Sequence, residues 1–465
     1  MKLETDKFNR LSLGIMEKYK CSPEEAINKL SSLKLNIECG NCIHSSLPLQ
    51  AALITAVNVG KRAFLGGVFI YMPVNVIPLI NWPGAKFLNE IITSLGGKLV
   101  STLEPSNFTI CFDLRGNIDQ NRLEVVCNNW QAGVLANGEK CCFISSGTIP
   151  TAGIFAGSLA VSLGFLKMSG ISISGADNSV GISLWRPDLN WLDERSNGPE
   201  ISILPRKFWM LGLGHLGQAY LWNIGLLPYK NPNDCTILLQ DDDRIVEANW
   251  SAGLLSELKD TKIYKTRLSS AWLEDRGFNT VISERRFDID TKRANEEPFV
   301  ALCGFDSAAS RLCLEDAGFD LVVEAGLGNN LSTFDMIALH TFPDAFKTPR
   351  DIWSTEDKKP PEINQAILDI LQPLDDEICG IIPLSIAGKS ISASFVGACT
   401  GALVLAELLR GLHGGRRFEK LSIQLRDIEG RSPVTFKNEV YSMEMSKNGF
   451  TSISPSSNYA GWNCE

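Results

Sequence analysis

Apolar and polar positions follow two regimes along this chain. Short apolar runs, rich in β-branched residues and bounded by Gly, Pro or Asn, read as buried strands. They include "GGVFIYMPV" (66–74), "FTICFDLRG" (108–116), "CTILLQDDD" (235–243) and "FVALCGFDSAASR" (299–311). Helical stretches separate them, and this alternation predicts a mostly parallel sheet covered by helices. Two longer apolar runs read as helices. "AGIFAGSLAVSLGFLK" (152–167) and "VGACTGALVLAELLRGL" (396–412) share a small-residue pattern, in which Gly153 and Gly157 recur as Gly397 and Gly401. Small residues four apart let a helix lie close against its neighbour. Strand candidates precede each helix in the same order, so the chain reads as two related α/β units in tandem.

A Pro-, Asn- and charge-rich stretch, "RPDLNWLDERSNGPEISILP" (186–205), marks the joint. The expected division is an N-terminal helical appendage (1–36), a first unit (37–198), a second unit (199–430) and a Ser/Asn/Gly-rich tail (431–465). The second unit opens with "KFWML", followed by Gly212, Gly214 and Gly217 in a Gly-x-Gly-x-x-Gly run. Such a turn lets the backbone approach phosphates, and the helix behind it aims its unpaired N–H groups and positive dipole end at them. The first unit has no such run. Where the loop would lie stands "CGNCIHSSLPLQAALITAVNVG", with Gly40 alone at its start.

Composition narrows the function. The 465 residues suffice for several domains and a large core, and 44% hydrophobic with 21% charged residues is ordinary for a globular protein. A net charge of −9 without a basic block argues against nucleic-acid binding. No stretch approaches the roughly 18 uninterrupted apolar residues of a membrane span. "MKLETDKFNRLSLGIMEKYK" lacks the apolar core of a secretory signal, and thirteen scattered cysteines do not suggest a disulfide framework, so a cytoplasmic location is expected. Cys39 and Cys42 form a lone Cys-x-x-Cys without the second pair of a zinc site, so both read as core.

The strand "TILLQDDD" ends in Asp241, Asp242 and Asp243, where a carboxylate would grip a ribose hydroxyl. Asp241 falls further from Gly212 than the roughly 20 residues usual in dinucleotide sites. The loop "LLPYKNPND" accounts for the excess. Asn249 and Lys265 follow, and Asp306 ends another apolar strand in "CGFDSAASR". Asn, Lys and Asp on separate loops at one sheet edge suit a triphosphate with magnesium, the Lys against phosphate charge and the Asp on the metal. A nicotinamide cofactor offers no phosphate leaving group that would need them.

At these residues the sequence resembles the ThiF-type superfamily of adenylating enzymes, which includes the ubiquitin-activating enzymes. The positions that carry the resemblance are Gly212, Gly214 and Gly217, then Asp241-x-Asp243, Asn249, Lys265 and Asp306. It covers roughly 199–415 and extends more faintly to the first unit, which is similar to the inactive adenylation half of ubiquitin-activating enzymes. The resemblance implies two tandem Rossmann-like ThiF-type units, the second nucleotide-binding and the first degenerate. It also implies ATP and Mg²⁺, the metal on Asp306, and adenylation of the C-terminal carboxylate of a ubiquitin-like or sulfur-carrier protein.

One position departs from the family. Three residues beyond Asn249, where the family has a phosphate-bracing Arg, stands Ala252. Lys61 or Arg62, in "VGKRAFLGG", are candidates to compensate, against a reading as a solvated helix end. In the resembled family a cysteine before the closing helix takes the acyl group as a thioester. Here that cysteine is Cys379, in "LDDEICGIIPLSIAGKS", with Lys265 and Asn249 as further catalytic candidates. A ubiquitin-conjugating-enzyme-like acceptor would follow, and a homodimer is an allowed assembly. Asp375, Asp376 and Glu377 argue against Cys379, since nearby negative charge raises a thiol's pKa. Gly326 and Gly328, in "VVEAGLG", would let an extended tail approach the nucleotide. Three other readings stay open: adenylation of a peptide or other small substrate without a thioester, a NAD- or FAD-dependent oxidoreductase, and a catalytically inactive scaffold.

Overall fold

A computed structural model describes residues 9–112, 121–136, 139, 147–172, 175–344, 347–353, 363–374, 384, 386–440 and 449–453. It is a mixed α/β protein with two large sheets. The chain begins with α1 (Arg10–Tyr19) and α2 (Pro23–Ser32), the latter closed at its N-terminus by a Ser22–Glu25 capping box. The first sheet holds β1 (Lys34–Cys39), β2 (Gly67–Tyr71), β3 (Lys98–Leu99), β4 (Phe108–Phe112), β5 (Arg122–Asn128), β6 (Gln131–Ala136) and β7 (Val180–Ser183). Its helices are α3 (Leu47–Ala63), α4 (Leu88–Ser94) and α5 (Pro150–Met168). Its strand order is β3-β2-β1-β4-β5-β6-β7, parallel through β5 and antiparallel beyond.

A short strand, β8 (Ile203–Pro205), leads into the second sheet. That sheet comprises β9 (Lys207–Leu211), β10 (Thr236–Gln240), β11 (Asn279–Ser283), β12 (Val300–Cys303), β13 (Leu321–Leu327), β14 (Met336–Phe342), β15 (Arg416–Gln424) and β16 (Asp427–Val440). It carries α6 (His215–Gly225), α7 (Lys265–Glu274), α8 (Ala308–Leu312), α9 (Pro349–Ile352), α10 (Gln365–Leu371) and α11 (Ser394–Leu412). The order is β11-β10-β9-β12-β13-β14-β15-β16. Counted from its own first strand, this sheet repeats the order of the first and again turns antiparallel after its fifth strand.

The two ends differ from the expected segmentation. β1 starts at Lys34, inside the stretch read as an appendage. At the other end β16 runs to Val440 and β17 (Phe450–Ser452) pairs with β8, so part of 431–465 is sheet rather than tail.

Four apolar helices join the halves. α3 packs on α5, α6 on α11, and α11 also packs against α5 and α3. The glycine repeat seen in the sequence lies in these contacts. A Cβ at Gly153 would sit 1.9 Å from the Pro48 carbonyl oxygen, and one at Gly397 would sit 2.3 Å from His215 Nε2. Gly157 meets Ala52 and Gly401 meets Ala219 in the same way, four residues on. One continuous hydrophobic cluster therefore runs through both halves. By length and composition α5 and α11 could each cross a membrane, contrary to the expectation from uninterrupted apolar runs, but both are buried inside the protein. Their apolarity serves the core.

Candidate functional site

The connection from β9 to α6 is three residues long and turns on Gly212, whose φ of +79° lies in the left-handed region. Gly217 closes the turn, because a Cβ there would lie 2.0 Å from the Gly212 carbonyl oxygen. Gly214 meets nothing within 4 Å and faces open space. The N-terminus of α6 thus opens into a cavity of about 650 Å³. In the first half the matching connection, from β1 to α3, is longer and holds the 3₁₀ turn Asn41–His44. The Gly-rich turn is confined to the second half.

The cavity brings together Gly212, Gly214, Asp241, Asp243, Asn249, Lys265 and Asp306. Gly217 stands behind the turn. Asp241 follows β10 and accepts from Leu213 N (2.6 Å) and Asp243 N (2.8 Å), which ties the glycine turn to the neighbouring strand. A carboxylate has roughly four acceptor positions, so a sugar hydroxyl can still be received. Burial raises the Asp241 pKa, while Lys265 and the two backbone N–H groups pull it down. Lys265 Nζ lies 2.6 Å from Asp243 and 3.8 Å from Asp241. Asn249 accepts from Val246 N through Oδ1, which caps the turn Glu247–Ser251. Asp306 is exposed in the cavity and has no side-chain partner among the described residues. Asp241, Asp242 and Asp243 have carboxylate oxygens within 4.8 Å of one another.

Arg311, five residues beyond Asp306 in "CGFDSAASR", also lines this space, as do three cations that the sequence did not single out: Arg10, Arg286 and Lys389. Arg10 comes from the start of α1, where its backbone N–H donates to Ser251 Oγ (3.3 Å), next to Ala252. Arg286 stands at the rim after β11, and Arg311 stands on α8. For Arg10 no sequence signal was available, since it lies far from every motif.

Arg62 does not reach the cavity. It is fully buried and donates to the carbonyls of Trp250 (2.5 Å), Ser256 (3.1 Å) and Leu254 (3.3 Å). Lys61 pairs with Glu257 at 2.7 Å. Burial lowers the Arg62 pKa to about 10, against the opposing pull of Glu257. From the other side Gln218 Oε1 accepts from Leu255 N, Ser256 N and Ser256 Oγ. Lys61 and Arg62 therefore clamp the loop 250–257 to the first half. Neither faces a phosphate, and neither forms a solvated helix end.

Cys379 and the acids Asp375, Asp376 and Glu377 lie outside the described residues. Cys39 and Cys42 are buried, and burial pushes the Cys39 thiol far up. Gly326 and Gly328 line the cavity at the end of β13, and Lys389, Ser390 and Ile391 cover it from the segment before α11. Ile391 N donates to Asn329 O (2.9 Å) and holds that segment down.

A doubly sheeted α/β chain with a helix N-terminus open to a cavity, ringed by acids and cations, has the geometry that a phosphate-bearing ligand requires. Comparison with known sequences gives the family. The BilD N-terminal domain matches residues 34–184 and the BilD C-terminal domain matches residues 204–415. The Bacterial E1-like protein BilD of Collimonas sp. (strain OK412) is 36% identical over 427 residues, spanning 88% of this chain and 89% of that protein. This chain belongs to the family of bacterial E1-like BilD proteins. Among solved structures, E. coli MccB aligns with a TM-score of 0.35 at 14% identity, covering 70% of this chain and 96% of that one. The E. coli tRNA N6-threonylcarbamoyladenosine dehydratase TcdA aligns with a TM-score of 0.28 at 11% identity, covering 44% and 84%.

Proposed function

We propose that this protein is an ATP-dependent adenylating enzyme that activates the C-terminal carboxylate of a small ubiquitin-like or sulfur-carrier protein. The reading rests on one observation: the glycine turn, Asp241, Asn249, Lys265 and Asp306, drawn from separate loops, meet in a single cavity with Arg10 and Arg311. The glycine turn and the N-terminus of α6 receive phosphate, and Asp241 receives the ribose. Lys265 and Arg10 offset the charge of the leaving pyrophosphate. The carboxylate of Asp306, without a side-chain partner among the described residues, would hold a divalent cation in the same cavity. Bound Mg²⁺ would supply charge neutralisation on the phosphate oxygens.

A carboxylate oxygen of the carrier then attacks the α-phosphorus, the bond to the bridging oxygen breaks, and pyrophosphate leaves. The product is an acyl-adenylate. Cys379 is the proposed acceptor in a following step, releasing AMP and forming a thioester for a conjugating-enzyme-like partner. The first half, without a glycine turn, is read as the inactive counterpart that completes the site. A peptide or other small substrate without a thioester is the competing substrate class.

Exchange of labelled pyrophosphate into ATP tests the reading. Asp306→Asn is expected to lower exchange by more than about 100-fold with its far-UV spectrum and melting temperature intact. Unchanged exchange in that variant removes adenylation at this site. Stabilisation of the wild type by NAD but not by ATP with Mg²⁺ would point to an oxidoreductase instead.

A further inference from the structure

The ion pair on the far side of the cavity is built with unusual care. Glu324, on β13, is 1% exposed. Its Oε1 accepts from Arg311 Nε at 2.5 Å, and its Oε2 lies 3.3 Å from His340 Nδ1. Glu324 and His340 face each other across the antiparallel β13–β14 pair. Arg311 Nη2 also donates to Phe305 O (2.7 Å). Trp353 covers the group, 5.5 Å from both the guanidinium and the imidazole. Two residues along β13 from Glu324, a Cβ at Gly326 would come within 3.4 Å of Arg311 Nη2. Burying a carboxylate this completely costs several kcal/mol unless it is fully paired. Three neighbours fix Arg311 in one orientation, while its Nη1 has no partner among the described residues.

The position of Arg311 decides what it can meet. Asp241 lies beyond the end of β10, so adenosine belongs on that side of the glycine turn. Arg311 lies on the other side, between the ends of β12 and β13, next to Gly326, with Gly328 lining the same cavity. An extended tail laid along those glycines would end at its guanidinium. We infer that Arg311 seats the carboxylate of the acyl substrate, and that Glu324, backed by His340, is the residue that positions it. The inference rests on the adenylation reading and adds the residue that distinguishes the acid from any other chain end.

The test uses a short peptide ending in Gly-Gly, as the free acid and as the C-terminal amide, with full-length protein saturated by a non-hydrolysable ATP analogue. A charge-assisted hydrogen bond is worth about 1.5–3 kcal/mol, so the wild type is expected to bind the acid at least about tenfold more tightly than the amide. Arg311→Lys keeps the charge but loses the planar fork, and Glu324→Gln keeps the shape but loses the brace. Both are expected to lower the acid-to-amide ratio by about threefold or more, the Lys ammonium keeping part of the preference, with affinity for the analogue within about twofold of wild type. A purely structural ion pair would leave that ratio unchanged in Glu324→Gln whatever the stability, and this would overturn the inference. So would wild type that binds the analogue but does not prefer the acid, or Arg311→Lys that loses the analogue instead. Wild type that binds no nucleotide analogue would remove the adenylation reading itself.

Discussion

His215 shows how a single residue of the nucleotide turn is shaped by what lies behind it. It is the first residue of α6, lines the cavity, and is packed against Gly397 of α11. Burial pushes its imidazole pKa down to about 4, against the opposing pull of the Ala393 carbonyl. An unfolded histidine titrates near 6.5. The folded state therefore resists a proton that the unfolded state accepts. The contribution of His215 is complete above about pH 6.5 and is lost as pH falls toward about 4. Urea midpoints measured at pH 7 and pH 5 should fall further in wild type than in His215→Gln. An equal fall in both proteins would show that this imidazole is not the group responsible. Of the polar site residues legible in the sequence, Asp241, Asp243 and Asp306 follow apolar runs whose buried character is plain, while Asn249 and Lys265 stand in the polar stretch behind Asp243. Arg10 was not legible as a site residue, because what brings it there is packing between distant segments, whereas Arg311 follows Asp306 within one stretch. Lys61 and Arg62 misled for a related reason. A basic pair at a helix end normally marks solvent, and only the docked second half buries this one.

Among elements, the matched glycines of α5 and α11 were visible as a sequence pattern, and close helix approach is what they provide. Gly153 is the tightest case. Adding a methyl group there drives a Cβ into the Pro48 carbonyl, so Gly153→Ala should cost about 1–3 kcal/mol by overpacking. A urea titration checks this, and an undiminished midpoint would mean that α3 can retreat at no cost. The parallel strands were also legible, being short continuous apolar runs. The antiparallel edges were not. Every residue of β6 (Gln131–Ala136) is buried on both faces, so it shows no alternation to read. β16 and β17 fall in a polar, Ser- and Asn-containing stretch that composition alone assigns to a tail. Their pairing comes from β15 and β8, which supply the ladder that the local sequence does not advertise.

For the whole molecule, the repeated strand order and the shared helical layer mean that neither half has a closed surface of its own. Cys399 of α11 lies 3.7 Å from the Phe155 carbonyl of α5, and Trp222 of α6 donates to Thr55 of α3 at 3.0 Å. Removing residues 1–198 would expose the apolar flanks of α6 and α11 together with the loop 250–257 that Arg62 holds. That truncated protein is expected to aggregate, or to melt well below the full chain and bind ATP poorly. Size-exclusion chromatography and a nucleotide thermal shift measure this directly, and a monodisperse fragment with full nucleotide affinity would make the first half a mere appendage.

Arg10, on α1 ahead of the first sheet, lines a cavity built by the second half, and this has a kinetic consequence. In an assembly of separate subunits, a site completed from across an interface disappears on dilution below the dissociation constant. Here both contributors sit on one polypeptide, so each meets the other at a local concentration set by the chain itself. Specific activity should then stay constant down to the lowest protein concentration at which it can be measured, and scarcity in the cell would not switch the site off.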